Sequence, residues 1–339
     1  MVTIKYNQPL TSYNTFRMDV IASSFCTVRT LDEVQELIVS DKLAGKQLLI
    51  LGGGSNLLFC KDFDGMVIHV QNSGIRVLRE DEDEVFVRVA AGENWHEFVL
   101  WCLEKGYGGI ENLSLIPGTV GSSPIQNIGA YGVEVKDVFD SAELIDLKSA
   151  ILYPIDREAC RFGYRDSIFK QELKGKVMVW SVTFKLLKNP LIQLEYGAIR
   201  EELNRMGRLN PGIKDVSDAV CNIRRSKLPD PNETGNAGSF FKNPTISAER
   251  SLLLKTAFPG LVSYQLPDGN VKLAAGWLIE QCRWKGIRRG DAGVHPKQAL
   301  CIVNYGNATG SEILELAEDI QQSVLEQFDV LLDMEVNVI

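Results

Sequence analysis

The pattern of hydrophobic and polar positions predicts several strands in the first half of the chain. These runs are a buried strand at 46–51, a strand at 66–70, a hairpin of 75–80 with 85–90, a second hairpin of 142–147 with 150–155, and a long strand at 176–187. The acidic stretch "DEDE" separates the two runs of the first hairpin and predicts its turn. The last predicted strand is 329–339, in which hydrophobic residues recur at every second position from Val330 to Val338.

Other segments have the spacing of helices. Thr30 and Glu33 form a capping box in front of an amphipathic stretch that ends near Ser40. An apolar stripe predicts a helix packed in the core, with Trp95, Phe98, Val99, Cys102 and Leu103 on one face. Further helices are predicted near 216–225, after Ser247, and from about Ser311 to Phe328. Residues 188–215 carry Pro, Asn and Gly without strong periodicity, which predicts a long loop and connector. Several hairpins with few βαβ units predict an α+β fold.

The composition of the 339 residues narrows the class of protein. Hydrophobic residues make up 45% and charged residues 24%, as in ordinary soluble globular proteins. The formal net charge of -8 argues against broad attraction to nucleic acid or an anionic membrane. Seven cysteines without CxxC pairs and three histidines argue against a metal site or a disulfide framework and favour a reducing cytosol. The start lacks a signal-peptide pattern and no run of about 18 apolar residues occurs, so neither export nor a membrane span is expected.

The first candidate for chemistry is the segment "GGGSN" at 52–56, directly after a predicted strand. Glycine allows a sharp turn and lets a ligand approach the main chain closely. Successive N–H groups in such a turn can bind an anion. The segment lacks the GxGxxG pattern of a Rossmann turn and the Gly-Lys-Ser/Thr of a P-loop. A phosphate site and a plain tight turn therefore both stay open.

A second glycine-rich segment is "IPGTVGSSPIQNIGAYGVEV" at 116–135. It carries no charge before Glu134, so it is too apolar for an ordinary surface loop. It suits main chain that runs against a flat, largely apolar ligand with a few amide and hydroxyl contacts. The two glycine-rich segments could together bind one extended dinucleotide.

The paired segments resemble the FAD-binding region of the family that includes vanillyl-alcohol oxidase and p-cresol methylhydroxylase. Four further stretches match one group of enzymes within it, in order along the chain: "CRFGYRDSIF" at 160–169, "KLPDP" at 227–231, "GNAGSFFKNP" at 235–244, and the glycine-containing stretch 274–300. With "MEV" at 334–336, they resemble the UDP-N-acetylenolpyruvoylglucosamine reductases over nearly the whole chain. The stretch "LEYGAI" at 194–199 resembles the longer type I form.

The resemblance implies a fold and a set of ligands. It implies a two-subdomain FAD-binding region of the p-cresol methylhydroxylase type at 1–70 and 71–225, and a C-terminal α+β substrate-binding domain at 226–339. FAD would be bound non-covalently, with NADPH as co-substrate and UDP-N-acetylglucosamine enolpyruvate as substrate. The enzyme would be cytoplasmic, would act in peptidoglycan precursor synthesis, and would need no obligate protein partner. The implied FAD-binding residues are Gly52, Gly53, Gly54, Ser55, Asn56, Pro117, Gly118, Thr119, Gly121, Ser122, Ile125 and Gly129.

The implied reaction reduces an enolpyruvyl ether to a lactyl ether. NADPH reduces FAD and leaves, and the reduced flavin then delivers hydride to the terminal alkene carbon of the substrate. Negative charge develops on the adjacent carbon and spreads into the carboxylate. This chemistry requires a rigidly held flavin, positive charge or hydrogen bonds near the developing enolate, and an acid that protonates the carbon.

Three residues carry the implied catalytic roles, and each has a structural alternative. Ser239 would be the acid, or else a strand-entry serine bonded to backbone. Arg165 would polarise the substrate carboxylate, or else pair with Asp166 or another acid in a structural ion pair. Glu335 would assist polarisation or proton supply, or else lie on a solvated strand face. Arg161 is a nearby rival of Arg165 but does not align with the motif.

Four residues match positions that hold the UDP-sugar: Tyr196, Lys227, Asn243 and Gln298. A cation is expected beside a diphosphate, and Lys227 supplies one. The same lysine could instead be a helix C-terminal cation that interacts with the helix dipole. His295 is expected to be a structural polar residue rather than a base.

Two other functions stay open. The first is an oxidase of the same FAD-binding fold, which often tethers its flavin through a histidine or cysteine near the first glycine segment. That segment has no histidine, and Cys60 comes well after Gly54, so this function is disfavoured. The second is a non-catalytic nucleotide-sugar-binding module that has lost its flavin and would therefore be colourless.

Overall fold

The computed structural model describes residues 2–194 and 196–339, without the side chain of Asp41. Contacts divide the chain into two compact units. The first unit comprises 2–8, Ala22–Gly53 and Asp64–Ser226, and the second comprises Pro9–Ile21, Gly54–Phe63 and Lys227–Ile339. The three sequence ranges expected to be domains stay a prediction. Glu195, within the stretch that resembles the type I form, lies outside the described residues.

The described part of the chain contains many strands, most of them short, and fewer but longer helices. The helices are α1 (Leu31–Val39), α2 (Trp95–Lys105), α3 (Gly197–Arg205), α4 (Ile213–Lys227), α5 (Ala248–Ala257), α6 (Ala275–Gln281) and α7 (Gly310–Phe328). The strands are β1 (Ile4–Pro9), β2 (Ile21–Val28), β3 (Gln47–Leu51), β4 (Leu57–Leu58), β5 (Phe63–Val70), β6 (Ile75–Glu80), β7 (Glu84–Ala90), β8 (Gly129–Ala130), β9 (Val133–Glu134), β10 (Phe139–Asp146), β11 (Leu152–Asp156), β12 (Val177–Leu187), β13 (Gly235–Asn236), β14 (Thr245–Ile246), β15 (Ser263–Gln265), β16 (Val271–Leu273), β17 (Arg288–Arg289), β18 (Ala292–Val294), β19 (Ile302–Asn304) and β20 (Asn337–Val338).

The first unit contains a four-stranded sheet in the order β1-β2-β5-β3. The strand β3 runs parallel to β5, with Leu49 opposite Val67. The prediction that β3 is buried is wrong for most of its length, since only Leu51 is fully buried. The physical reason is that β3 lies at the edge of the sheet, whereas β5 has a neighbour on each side.

A five-stranded antiparallel sheet in the order β11-β10-β12-β7-β6 forms the other part of the first unit. Both predicted hairpins, β6 with β7 and β10 with β11, are confirmed. The helix α2 packs its apolar stripe into the core, where the ring of Phe98 lies 5.0 Å from that of Phe184. Asn94 caps the start of α2 by accepting the Glu97 N–H, and Gly106 ends it in the left-handed region with φ of +77°.

The prediction of a loop and connector at 188–215 is wrong in part, because α3 lies inside this range. It is short and mostly polar, and Ile199 and Leu203, about one turn apart, are its buried side chains. These side chains pack with Val216, Val220 and other residues of α4 in a small hydrophobic cluster of their own. Tertiary packing, and not the local pattern, therefore stabilises α3.

The second unit is built on two small sheets, ordered β13-β19-β18-β17 and β14-β16-β15. Its long helix α7 begins with a capping box of Thr309 and Glu312 and buries the predicted face. The predicted last strand at 329–339 is wrong except for β20, which pairs with β4, and an isolated bridge of Met334 with Phe241. Its alternation breaks at Val338, which is 41% exposed. Short pairings with two different partners therefore replace one continuous ladder.

Candidate functional site

The two glycine-rich segments lie in direct contact within the first unit. A Cβ atom on Gly52 would lie 2.4 Å from the Oγ1 atom of Thr119. A Cβ atom on Gly53 would lie 2.9 Å from the Cα atom of Gly118. Real Cβ atoms do not approach other atoms so closely, so the backbones meet where only glycine fits. The structure thus brings together two segments that the sequence places far apart.

The second glycine-rich segment is fixed by the residues that open α2. Trp95 donates its backbone N–H to the Gly118 carbonyl oxygen (3.1 Å) and its indole N–H to the Leu113 carbonyl oxygen (2.9 Å). Asn94 pairs with Thr119 as an isolated β-bridge. Gly118 itself has a φ of +121°, which favours glycine. A capped helix start therefore holds this segment in a defined backbone conformation.

The next residues of the same segment bond to their neighbours. Ser122 donates its hydroxyl to the Thr119 carbonyl oxygen (2.7 Å) and accepts the Thr119 N–H (3.3 Å). Gly121 donates its N–H to the Ala91 carbonyl oxygen (2.8 Å), and a Cβ atom on Gly121 would lie 2.5 Å from the Ala91 Cβ. These contacts use the polar groups of the segment to fix its own shape.

Two main-chain donors differ from these. Neither Gly53 nor Gly118 donates its N–H to an acceptor in residues 2–194 or 196–339. Their backbones touch, Gly53 is exposed, and Gly118 is half-buried. Adjacent unpaired N–H groups on a glycine backbone are the donor set that a dinucleotide pyrophosphate needs. The residues present therefore fit FAD.

Arg165 lies at the tip of a tight turn and reaches the second glycine-rich segment. Its φ of +54° is in the left-handed region, which is uncommon for a residue with a side chain. Its guanidinium donates to the Gly129 carbonyl oxygen (2.7 Å) and lies 5.3 Å from the ring centroid of Tyr164. Nearby, Ser167 donates its hydroxyl to the Ile125 carbonyl oxygen (2.6 Å). The predicted catalytic arginine and two predicted cofactor residues, Gly129 and Ile125, are thus tied to one turn.

Two other charged residues near this turn, Arg161 and Asp166, have side-chain partners. Arg161 forms an exposed ion pair with Glu172, which raises the pKa of the guanidinium and lowers that of the carboxyl through their hydrogen bond. Asp166 accepts two hydrogen bonds from the Gln171 amide, at 3.1 Å and 3.0 Å. Arg161 is therefore paired with Glu172 at the surface, and the Asp166 carboxylate is bonded to the Gln171 side-chain amide.

Tyr196 caps α3 by position and is 46% exposed. Its ring meets that of Tyr131 edge to face, with centroids 5.5 Å apart. Asn112, fully buried, donates one side-chain amide to two carbonyl oxygens, those of Tyr131 (3.0 Å) and Gln193 (3.2 Å). Burial raises the pKa of the Tyr131 hydroxyl. Tyr196 is therefore supported on a tyrosine whose backbone Asn112 anchors.

The remaining residues of the first glycine-rich segment belong to the second unit. Gly54 has a φ of +60°, and a Cβ atom there would lie 2.0 Å from the Tyr13 carbonyl oxygen. Asn56 donates its side-chain amide to the Glu335 carbonyl oxygen (3.2 Å). Its own carbonyl oxygen accepts the backbone N–H of Asn337 (3.1 Å). A predicted cofactor residue, Asn56, is thus bonded to a predicted catalytic residue, Glu335.

Ser239 and Glu335 lie on two backbone segments that pair within the second unit. Glu335 donates its N–H to the Phe240 carbonyl oxygen (2.8 Å), and Phe240 directly follows Ser239. One step further, Lys242 donates its N–H to the Asp333 carbonyl oxygen (2.9 Å). The structure therefore brings together two predicted catalytic residues that are almost a hundred positions apart in the sequence.

The surroundings of Ser239 are defined by its neighbours. Asn236 accepts the Gly238 N–H on its side-chain oxygen (3.0 Å), and Gly238 has a φ of +72°. Phe240 and Phe241, which follow, are 0% and 1% exposed. Ser239 itself is half-buried, and its hydroxyl has no hydrogen-bond partner in the described part of the chain. The structural alternative, a hydroxyl bonded to the backbone, is therefore not what the structure contains.

Two of the predicted substrate residues meet at the start of α6. Asn243 accepts the Ala275 N–H on its side-chain oxygen (2.9 Å). The side-chain oxygen of Gln298 would lie 3.5 Å from a Cβ atom on the next residue, Gly276.

Lys227 is exposed and is the last residue of α4, the position that its alternative role as a helix C-terminal cation requires.

Sequence analysis missed one residue that supports the candidate cofactor segment. His96 accepts the backbone N–H of Leu115 on its Nδ1 atom (3.0 Å), three residues before Gly118. The apolar stripe beginning at Trp95 indicates only core packing. Asn94, a preferred N-cap residue, is a sequence signal that a helix starts here, but no pattern shows which loop the helix start contacts.

Comparison with known families agrees with this arrangement. Residues 22–152 match the family described as "FAD binding domain". Residues 230–339 match the C-terminal domain of UDP-N-acetylenolpyruvoylglucosamine reductase. The fold and the paired glycine-rich segments, together with these matches, define an FAD-binding oxidoreductase.

Whole-chain relatives identify the kind of oxidoreductase. The UDP-N-acetylenolpyruvoylglucosamine reductase of Amoebophilus asiaticus is 50% identical over 336 residues, 99% of each chain. That of Pseudomonas aeruginosa is 49% identical over 328 residues, 97% of this chain and 96% of the relative. The chain therefore belongs to the UDP-N-acetylenolpyruvoylglucosamine reductase family.

A solved structure supports the fold. The reductase of the same name from Thermus caldophilus superposes with a TM-score of 0.68 at 24% identity, covering 100% of this chain and 98% of that one. The family, the α+β fold class and the assignment as an enzyme are thus confirmed, while the roles of individual residues stay predictions. Within the described ranges, no helix is both long and apolar enough to cross a membrane, and no group of His, Cys, Asp or Glu side chains could hold a metal ion.

Proposed function

We propose that the protein reduces UDP-N-acetylglucosamine enolpyruvate to UDP-N-acetylmuramate in the cytoplasm, a step of peptidoglycan precursor synthesis, with NADPH as reductant. Family membership supports the reaction. The observation that carries the chemistry is the pairing of the Ser239 and Glu335 segments, with an unbonded Ser239 hydroxyl. A hydroxyl with no protein partner is available to a substrate.

FAD is the proposed cofactor, held by the N–H groups of Gly53 and Gly118 at its pyrophosphate. When bound, FAD would take reducing equivalents from NADPH and pass them to the enolpyruvyl double bond. Binding without a covalent bond is supported by the residues after the first glycine-rich segment. They include no histidine up to Asp62, and burial raises the pKa of the Cys60 thiol, which keeps it in its unreactive protonated form.

Ser239 is the proposed acid that protonates the carbon next to the carboxylate. A serine hydroxyl is a weak acid, but an enolate carbon is strongly basic and the contact is intramolecular in the complex. Glu335, on the paired segment, is proposed to orient that hydroxyl or to polarise the substrate. Arg165 is proposed to bind the substrate carboxylate, where a planar guanidinium matches the two oxygens. The turn that fixes Arg165 on Gly129 supports this role.

The UDP-sugar is proposed to bind through four residues, with different kinds of contact. Lys227 supplies a cation for the diphosphate, which a chain of net charge -8 must provide locally. The amides of Asn243 and Gln298, both at the start of α6, supply hydrogen bonds. Tyr196 supplies an exposed aromatic face supported by Tyr131.

An anaerobic spectroscopic experiment tests this function. The purified protein is mixed with NADPH, and the visible flavin absorbance is expected to bleach. Addition of UDP-N-acetylglucosamine enolpyruvate is expected to restore it, whereas UDP-N-acetylglucosamine, which lacks the double bond, is expected to leave it bleached. A colourless protein would support a nucleotide-sugar-binding module instead. A flavin that only oxygen reoxidises would support an oxidase.

A further inference from the structure

We propose that neutral His96 positions the FAD-binding segment through Leu115, so that protonation of His96 weakens FAD binding in acid. The inference rests on the proposed role of the segment around Gly118 in holding FAD. It concerns residues that touch no predicted ligand, and it assigns His96 a positioning role.

Leu115 adopts a conformation that needs external support. Its φ of +59° lies in the left-handed region, where a branched apolar residue is strained. Its peptide groups are nevertheless held on both sides by side chains. His96 Nδ1 accepts the Leu115 N–H at 3.0 Å, and Arg224 donates its Nε–H to the Leu115 carbonyl oxygen at 3.3 Å.

The strain lies where it can affect cofactor binding. Only Ile116 and Pro117 separate Leu115 from Gly118, whose backbone touches Gly53. Since proline has a fixed φ, a change in the Leu115 backbone would be passed on to Gly118 with little local absorption. Trp95, next to His96, holds the Gly118 carbonyl oxygen. The start of α2 therefore fixes this segment at both Leu115 and Gly118.

The hydrogen bond to Leu115 exists in only one protonation state of His96. An N–H donor needs an acceptor, so Nδ1 must be unprotonated and neutral His96 must carry its proton on Nε2. The imidazolium has a proton on both nitrogens and cannot accept this bond. Protonation would therefore place two donors face to face and release the strained Leu115 backbone.

The charges around His96 favour the neutral form. Burial lowers the pKa of His96 below its ordinary value of 6.5, and Arg225 and Arg224 on α4 lower it further. Glu97, on α2 itself, acts in the opposite direction. Because only neutral His96 can support the segment, FAD binding should lower this pKa further, and FAD affinity should fall as His96 becomes protonated. FAD affinity should therefore be greatest near neutral pH and decline as the solution is made acidic.

The test is the pH dependence of FAD dissociation from the holoprotein. Flavin fluorescence measures the FAD that is released when the holoprotein is diluted, at pH values between 5.5 and 8. The measurement does not depend on catalytic turnover. In the parent protein the dissociation constant is expected to rise several-fold from pH 7.5 to 5.5, because protonation of His96 removes the acceptor of the Leu115 N–H. A flat profile in the parent would overturn the proposal.

Two variants at position 96 distinguish loss of the hydrogen-bond acceptor from loss of the group that titrates. In His96→Asn the side-chain oxygen stands near the position of Nδ1 and does not titrate, so affinity at pH 7.5 should stay within about twofold of the parent and the profile should be flat. In His96→Leu the acceptor is lost, so affinity should fall by about tenfold at every pH, the effect of one buried donor left unpaired. A parental slope in the Asn variant, or parental affinity in a folded Leu variant, contradicts the proposal.

A second histidine provides the matched control. His69 in the first unit also has a pKa lowered by burial, and it packs on Phe25. His69→Asn should keep the parental slope, and loss of the slope there would contradict the assignment to His96. If the glycine-rich segments do not hold FAD at all, Gly53→Ala will leave FAD bound. That result separates failure of the proposed FAD site from failure of the inference about His96. If Gly53→Ala releases FAD while both His96 variants behave like the parent, only the inference about His96 fails.

Discussion

Glu335 contacts its unit through main-chain bonds to Phe240 and Asn56, which leaves the role of its carboxylate to be tested by substitution. We expect Glu335→Gln to keep the fold and the flavin, since the two side chains have nearly the same shape. The charge is lost, so reoxidation of the reduced flavin by the UDP-sugar should slow by about 10-fold or more, whereas reduction by NADPH should not. Stopped-flow absorbance measures both steps.

The control for this variant is Asp333→Asn, which removes a neighbouring exposed carboxylate on the same segment. It should leave both steps at the parent rate. Normal turnover in Glu335→Gln would support the alternative for Glu335, a carboxylate that lies on a solvated face without a catalytic role.

Lys227 is exposed, so its substitution separates ligand binding from helix stability. We expect Lys227→Ala to raise the Michaelis constant for the UDP-sugar about tenfold with a smaller effect on kcat, because a diphosphate is held equally in the ground and transition states. Steady-state kinetics and thermal unfolding measure the two effects. Lys255→Ala, which removes a lysine from the last turn of α5, is the matched control. An unchanged Michaelis constant with lowered stability would mean that Lys227 serves only the helix dipole.

The resemblance names candidate catalytic residues, and their roles stay predictions. A serine, an arginine and a glutamate in ordered motifs could be named from the sequence. Their hydrogen bonds could not, because these depend on segments far away in the chain. The bond of Arg165 to Gly129, and the support of Leu115 by His96, follow from tertiary contacts that leave no local pattern.

At the scale of elements, the contact between the two glycine-rich segments is the feature most open to test. We expect Gly53→Ala to weaken FAD binding by about tenfold or more, since its Cβ would meet the Gly118 backbone, which cannot rotate away as a side chain can. FAD retained after gel filtration, and released into the filtrate after heat denaturation, measures both affinity and the non-covalent attachment.

The matched control is Gly212→Ala, whose Cβ would meet only Asp215 at an ordinary 3.8 Å. It should retain FAD like the parent. If Gly53→Ala also retains FAD, the two segments do not bind the cofactor in the proposed way. Flavin that stays on the precipitated chain would instead contradict the non-covalent attachment.

Elements that are fixed by neighbouring residues were predicted correctly, whereas those that depend on distant partners were not. The capping box of Thr30 with Glu33 and the acidic turn of the first hairpin fix their structures through neighbours in sequence. The helix α3 is short and mostly polar, and it packs in a cluster shared with α4 that its own sequence does not show. The chain end alternates like a strand, but it pairs with two partners, at Phe241 and at β4, which period-two alternation cannot reveal.

For the molecule as a whole, the net negative charge opposes the binding of ligands that carry phosphates. NADPH, FAD and the UDP-sugar all carry phosphates, and a chain of net charge -8 repels them at long range. Unpaired main-chain N–H groups and a few placed cations must therefore supply the affinity. This explains why glycine segments, which expose backbone donors without added charge, suit the cofactor.

The most direct test of the central claim, that Ser239 is the acid of an FAD-dependent reduction, is anaerobic stopped-flow on Ser239→Ala. Reduction of the flavin by NADPH needs no protein acid and should proceed at nearly the parent rate. Reoxidation by UDP-N-acetylglucosamine enolpyruvate should slow by about 10²–10⁴-fold, the typical effect of removing a positioned acid. If both steps slow together, Ser239 positions the flavin or its own loop. If neither slows, another group is the acid and the central claim is contradicted.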